Sequence, residues 1–223
     1  MPDVIFIVLS VLISIPVGMI ISSASLKMPK PDIVRPESSR RKLVLVLACM
    51  ALALWAGSAW PGPNAFLGSL LGWQLLILAL LDFEHFWLPR TLTITLLVSG
   101  LIAIAAQSMQ SFYEHALGAA IGFALLAALA FAYRKLRGQD GLGGGDAWLL
   151  AGGGAWTGWQ GLPTILVLGA GAGLVFVALM SVRGKPVGRA QPIPFGVGLA
   201  IGIWLTWLYG PLDGTQILRQ ATG

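Results

Sequence analysis

Eight apolar runs separated by short polar segments divide this chain, at roughly 4–23, 43–60, 64–81, 92–108, 115–133, 147–160, 163–181 and 194–210. A helix that crosses a lipid hydrocarbon core needs about 20 mostly apolar residues, with a range of about 17–25. The runs approach that length, except the sixth. That run is short and rich in glycine, as a half-buried or broken helix would be. The pattern predicts an all-α, polytopic membrane protein of about eight transmembrane helices.

The polar segments alternate in charge. Residues 24–42 hold Lys27, Lys30, Arg35, Arg40, Arg41 and Lys42; residues 82–91 hold Arg90. Residues 134–146 hold Arg134, Lys135 and Arg137, and 182–193 hold Arg183, Lys185 and Arg189. The intervening segments near 61–63, 109–114 and 161–162 hold no Lys or Arg, and Arg219 is the one basic residue outside this scheme. Short cytoplasmic loops collect Lys and Arg, so the basic side is expected to face the cytoplasm and both termini to face outward.

The first run is not read as a signal peptide. It lacks a basic leading region, since Asp3 is its only early charge, and Ser22-Ser23-Ala24-Ser25 only mimics a cleavage site. A retained first helix is expected. Residues 26–41, with Pro29, Pro31, Pro36, Ser38 and Ser39 among charges, have a linker composition but are too short for a domain. Residues 1–223 therefore read as one membrane domain.

Composition agrees with the pattern. The chain of 223 residues is 57% hydrophobic and 10% charged, with a mean hydropathy of +0.82. A soluble domain averages about 25% charged residues. The net charge of +5 sits in the loops, so it reads as topology and as attraction to anionic headgroups, with no nucleic-acid partner. The 29 glycines suit close helix packing in a bilayer. Cys49, the only cysteine, excludes a disulfide within the chain and reads as a small buried hydrophobe. Trp60, Trp87, Trp148 and Trp207 fall near run ends, where aromatic belts are ordinary.

Nine acidic residues remain to carry chemistry. Asp3, Asp32, Glu37 and Asp213 read as solvated surface charge, as does Asp140 in its Gly-rich loop. Glu114 opens the fifth run, where a carboxylate suits a helix N-terminus. Asp82 and Asp146 differ, because each borders an apolar run on the predicted cytoplasmic side. Ionisable groups at such depth are costly and often functional. Two carboxylates held close share a proton. One then takes a proton from water while the other gives one to a scissile carbonyl, which hydrolyses a peptide without metal or cofactor. The pair titrates as a unit, so neither residue takes a fixed role. The plainer alternatives are an N-cap aspartate at 146 and an interfacial residue at 82. Glu84 and His85 beside Asp82 do not form a recognisable metal-ligand set, and His115 is predicted on the other side. Gly141-Leu142-Gly143-Gly144-Gly145 removes side chains before Asp146, so an extended peptide can approach by main-chain pairing.

These residues resemble a known family. Leu81-Asp82-Phe83-Glu84-His85-Phe86-Trp87-Leu88-Pro89, followed by Leu92-Thr93 and Gly100-Leu101, resembles the first aspartate motif of type IV prepilin peptidases. Gly141 to Asp146 resembles their second motif, the Gly-x-Gly-Asp signature of intramembrane aspartyl proteases. Pro192-Ile193-Pro194-Phe195-Gly196 is similar to the short Pro-Phe-Gly segment before their last helix. The resemblance implies removal of the basic leader of type IV prepilins or type II secretion pseudopilins, at the cytoplasmic face of a bacterial inner membrane. Asp82 and Asp146 carry over as the catalytic pair. Gly143, Gly144, Gly145, Glu84, His85 and Pro89 carry over as substrate-binding or supporting residues.

Two departures matter. Larger members carry a loop with Cys-x-x-Cys pairs between the first two helices, associated with N-methylation of the cleaved pilin. Residues 24–42 are short and contain no cysteine, so methylation is expected to be absent or supplied elsewhere. The family also places a lysine two residues after the second aspartate, where this chain has Trp148. That departure supports an alternative, an inactive relative that acts in pilus or secretion-system assembly. A transporter with membrane carboxylates and broken helices is a third reading, but it leaves both motifs unexplained.

Overall fold

The computed structural model describes residues 2–27, 38–138, 143–183 and 194–212. The linker-like stretch with Asp32 and Glu37, the loop residues Asp140, Gly141 and Leu142, the basic residues Lys185 and Arg189, Pro192-Ile193, Asp213 and Arg219 lie outside them.

Among the described residues the regular structure is helical. The helices are α1 (Pro2–Lys27), α2 (Ser39–Ala59), α3 (Pro63–His85), α4 (Arg90–Ala105), α5 (Met109–Arg137), α6 (Gly144–Thr157), α7 (Leu162–Val182) and α8 (Phe195–Tyr209). A 3-10 turn at Trp159–Gly161 joins α6 to α7. Each α-helix falls on one of the eight apolar runs.

Length separates them into two groups. α1, α2, α3, α5 and α7 are long and apolar enough to cross a membrane, and the chain is a multi-pass membrane protein. α4, α6 and α8 have 16, 14 and 15 residues. At about 1.5 Å per residue they reach roughly 21–24 Å, short of a ~30 Å hydrocarbon core. The breaks have local causes. Gly158, at φ +74°, stops α6 three residues earlier than its apolar run suggests. Pro89 caps α4, which ends before the polar Gln107-Ser108 pair.

The chain divides into two compact units, residues 1–87 and 88–223. In the first, α1 meets α2 along small residues. Ser10, Ser14, Gly18 and Ser22 recur every four positions, which places them on one helix face, and all four are buried. A Cβ on Gly18 would lie 2.6 Å from the Val46 backbone, and one on Gly57 2.7 Å from the Ile7 side chain. Only glycine permits those approaches. Ser14 shares its hydroxyl proton between the carbonyls of Ser10 (2.9 Å) and Cys49 (3.2 Å). The Trp73 indole donates to the same Cys49 carbonyl at 3.2 Å. One main-chain oxygen of α2 is thereby tied to both α1 and α3. Ile21, Leu45, Cys49, Ala53 and Trp73 pack around it.

The second unit is built round α6. Ala147 and all residues from Leu149 to Trp156 are buried, so this helix is covered on every side. Its sequence allows that, because its only charge is Asp146 and Gly152-Gly153-Gly154 admit neighbours closely. A Cβ on Gly118 of α5 would lie 2.7 Å from the Gly154 carbonyl oxygen, and one on Gly122 2.7 Å from that of Leu150. The Trp156 indole donates to the Leu96 carbonyl of α4 at 2.9 Å and meets Trp207 of α8 edge-on at 5.2 Å. His115 Nδ1 lies 2.9 Å from the Ala155 carbonyl oxygen. α7 and α8 repeat the device, with a Cβ on Gly198 falling 2.6 Å from the Gly169 carbonyl oxygen.

Backbone contact at Gly118 makes a prediction. Gly118→Val should cost about 1–3 kcal/mol, the usual cost of overpacking, and lower the melting temperature in detergent. Gly171→Ala, where a Cβ meets nothing within 4 Å, should not. Equal melting temperatures for the two variants would contradict this account of α5 against α6.

Candidate active site

Asp82 lies in the last turn of α3. It is 6% exposed, and its main-chain carbonyl accepts the Phe86 amide at 2.9 Å. The helix ends in an unusual way. Phe86 closes it at φ 50°, ψ 39°, a left-handed conformation where glycine or asparagine is the usual residue. Phe86 is the one non-glycine residue with positive φ among the described residues. A bulky side chain there carries backbone strain, which must be held by its surroundings. Phe83, Phe86 and Trp87, which follow Asp82 in sequence, are exposed.

Glu84 and His85 continue that turn, and Glu84 is engaged. Arg41, in the first turn of α2, donates through Nη1 to Glu84 Oε1 at 2.7 Å and through Nη2 to Oε2 at 2.8 Å. Arg41 Nη2 also donates to Ser25 Oγ of α1 at 3.0 Å. His85 Nε2 lies 3.8 Å from Glu84 Oε2. In the sequence alone Arg41 reads only as a topology charge. The signal was a cation in a first helical turn and a carboxylate in a last one, each against its own helix dipole.

Asp146 belongs to the second unit, in the first turn of α6. Gly143, extended at φ −65°, ψ 132°, is the N-cap, not Asp146. The Asp146 amide donates to the Gly143 carbonyl at 3.0 Å. The residue is 6% exposed, and the helix N-terminus favours negative charge there.

The three described glycines of the motif differ in use. A Cβ on Gly145 would lie 2.5 Å from Leu88 Cβ and 3.0 Å from the Leu88 carbonyl oxygen. The first turn of α6 therefore rests directly on the chain before Pro89. Pro89 in turn caps α4, its carbonyl accepting the Leu92 and Thr93 amides at 3.1 Å each. Pro89 and Gly145, far apart in sequence, are thus parts of one corner. A Cβ on Gly143 would lie 3.3 Å from Asp146 Oδ2, while Gly144 has open space.

Trp148 packs on Phe123, with ring centroids 4.6 Å apart, and the Arg90 guanidinium lies over its ring at 5.8 Å. A cation does stand beside position 148, delivered by the start of α4. Among the described residues no group of three or more His, Cys, Asp or Glu is placed to hold a metal ion.

Residues 69–178 match the type IV leader peptidase family. Over these residues the chain belongs to that family. The matched region includes Asp82 and Asp146 and their surrounding turns. Relatives named prepilin leader peptidase/N-methyltransferase are similar along most of the chain. That of Aeromonas salmonicida is 36% identical over 174 residues, 78% of this chain and 59% of the relative. That of Stutzerimonas stutzeri is 35% identical over 187 residues, 82% and 63% respectively. That of Pseudomonas aeruginosa is 38% identical over 141 residues, 63% and 48%. The chain spans about three-fifths of the length of the first two leader peptidase relatives. No solved structure matches it.

The corner at Gly145 separates the glycines by effect. Gly145→Ala should destabilise the second unit by about 1–3 kcal/mol through its clash with Leu88. Gly144→Ala should be neutral or stabilising by up to about 1 kcal/mol, since alanine is the better helix former. Thermal unfolding of both variants in detergent checks the opposite signs.

Proposed function

We propose that this chain is an intramembrane aspartyl endopeptidase that removes the basic leader of type IV prepilins or type II secretion pseudopilins. The observation that carries the reading is a pair of buried aspartates, Asp82 and Asp146, both within the family-matched region and each at the end of an apolar helix. The relatives' name, prepilin leader peptidase, supports the substrate class.

In an aspartyl dyad the two carboxylates share one proton. One activates a water, and the other protonates the scissile carbonyl as the tetrahedral species forms. The proton passes back as the amine leaves, so neither metal nor cofactor takes part. Gly143, Gly144 and Gly145 leave room for an extended substrate backbone beside Asp146. Glu84 and His85 support the Asp82 turn, and Pro89 the Asp146 turn.

The remaining features follow from the same reading. All eight helices are embedded, the basic segments and the aspartates face the cytoplasm, and the membrane is a bacterial inner membrane. Residues 1–223 work as one membrane peptidase domain. Residues 24–42 contain no cysteine, so the chain has no zinc-stapled loop there and does not methylate its product.

Purified protein in detergent should shorten a prepilin-like substrate, read by mass. Asp82→Asn and Asp146→Asn should each abolish cleavage, and a chelator should leave the rate unchanged. Activity that survives either substitution would refute the mechanism. A folded wild type that cleaves no prepilin or pseudopilin would favour the inactive assembly factor, with Trp148 as its mark.

A further inference from the structure

The Arg41–Glu84 pair breaks a local rule twice. Arg41 sits in the first turn of α2, where the helix dipole disfavours a cation. Glu84 sits in the last turn of α3, where it disfavours an anion. Each is misplaced on its own helix, and each is relieved by the other. The geometry is two-pronged, at 2.7 and 2.8 Å, with both side chains about three-quarters buried. A planar guanidinium gripping both carboxylate oxygens fixes orientation as well as distance. Ser25 adds the last turn of α1 through Arg41 Nη2 at 3.0 Å. Three helix ends therefore meet at one guanidinium.

What this junction holds is the turn that carries Asp82. The last turn of a helix frays unless it is tied down. The α3 terminus has added reasons to open. It holds a second carboxylate, Asp82, at the same unfavourable dipole end, and it is closed by the strained Phe86. The tie falls two residues after Asp82.

We propose that Arg41 is a positioning residue of the first unit, which through Glu84 locks the last turn of α3 and so fixes the direction of the Asp82 carboxylate. Glu84 is thereby committed to Arg41 and does not act as an acid, a base or a leader-binding carboxylate. The catalytic half of this proposal rests on the peptidase reading above.

Two measurements on the full-length protein in detergent test it. The first is amide hydrogen exchange of residues 82–86, with amides around Cys49 and Trp73 as the folding control. Arg41→Gln and Glu84→Gln should speed exchange at 82–86 and leave the control unchanged. The double variant Arg41→Glu with Glu84→Arg puts each charge at its favoured helix end and keeps the pair, so it should restore slow exchange. The second is steady-state cleavage of a prepilin-like peptide. Each single variant should lower kcat by about tenfold, equivalent to 1.36 kcal/mol, with KM unchanged. The double variant should recover most of the loss, and Arg41→Lys, which keeps charge without the fork, should fall between.

Unchanged exchange at 82–86 in Arg41→Gln would overturn the proposal. So would a loss expressed in KM alone, which would make Glu84 or Arg41 a substrate-binding group. A wild type that cleaves nothing refutes the peptidase reading instead, while the exchange result still decides whether Arg41 locks the turn.

Discussion

In a bilayer, water no longer drives apolar helices together, since lipid tails are as apolar as the side chains. Association then depends on how closely backbones approach and on whether every polar group finds a partner inside the protein. Both needs shape this chain. Gly118 faces the main chain of Gly154, Gly198 that of Gly169, and Gly18 that of Val46. Several inward polar side chains end on main-chain oxygens: Ser14 and Trp73 on Cys49, Trp156 on Leu96. The abundance of glycine is the condition for packing, not a sign of loose structure.

The same constraint explains the two aspartates. A carboxylate near an apolar core is tolerable only where the backbone around it is held, and the chain holds each site differently. Asp146 is fixed from below by a missing side chain, because Gly145 lets α6 settle on Leu88. Asp82 is fixed by an added bond, the Arg41 grip on Glu84. One turn sits at the favourable end of its helix and needs only space. The other sits at the unfavourable end and needs a cation from elsewhere.

Much of this was legible in the sequence. Hydropathy located the eight α-helices among the described residues, because apolar runs and polar breaks are strong signals over roughly fifteen residues. The end of α6 was misjudged, since nothing local announces that Gly158 adopts positive φ. Asp82 and Asp146 stood out because acids are scarce here, and the surrounding motifs named their family. The supporting contacts did not show. Arg41 to Glu84 and Arg90 to Trp148 join residues 43 and 58 positions apart, and hydropathy carries no information at that range. Trp148 reads in sequence as a departure from the family's lysine, and nothing local announces that the Arg90 guanidinium lies over its ring. Phe86 read as an ordinary motif aromatic, because its strain exists only once α3 must end where it does.

Cys49 has a practical consequence. Its side chain is fully buried between α1 and α3, and it is the only thiol in the chain. Thiol reagents that act from solvent meet a silent protein. A cysteine introduced at an exposed position, such as Phe83 or Trp87, would report alone. Spin labels, crosslinkers or fluorophores can therefore be set beside Asp82 without first removing a native cysteine.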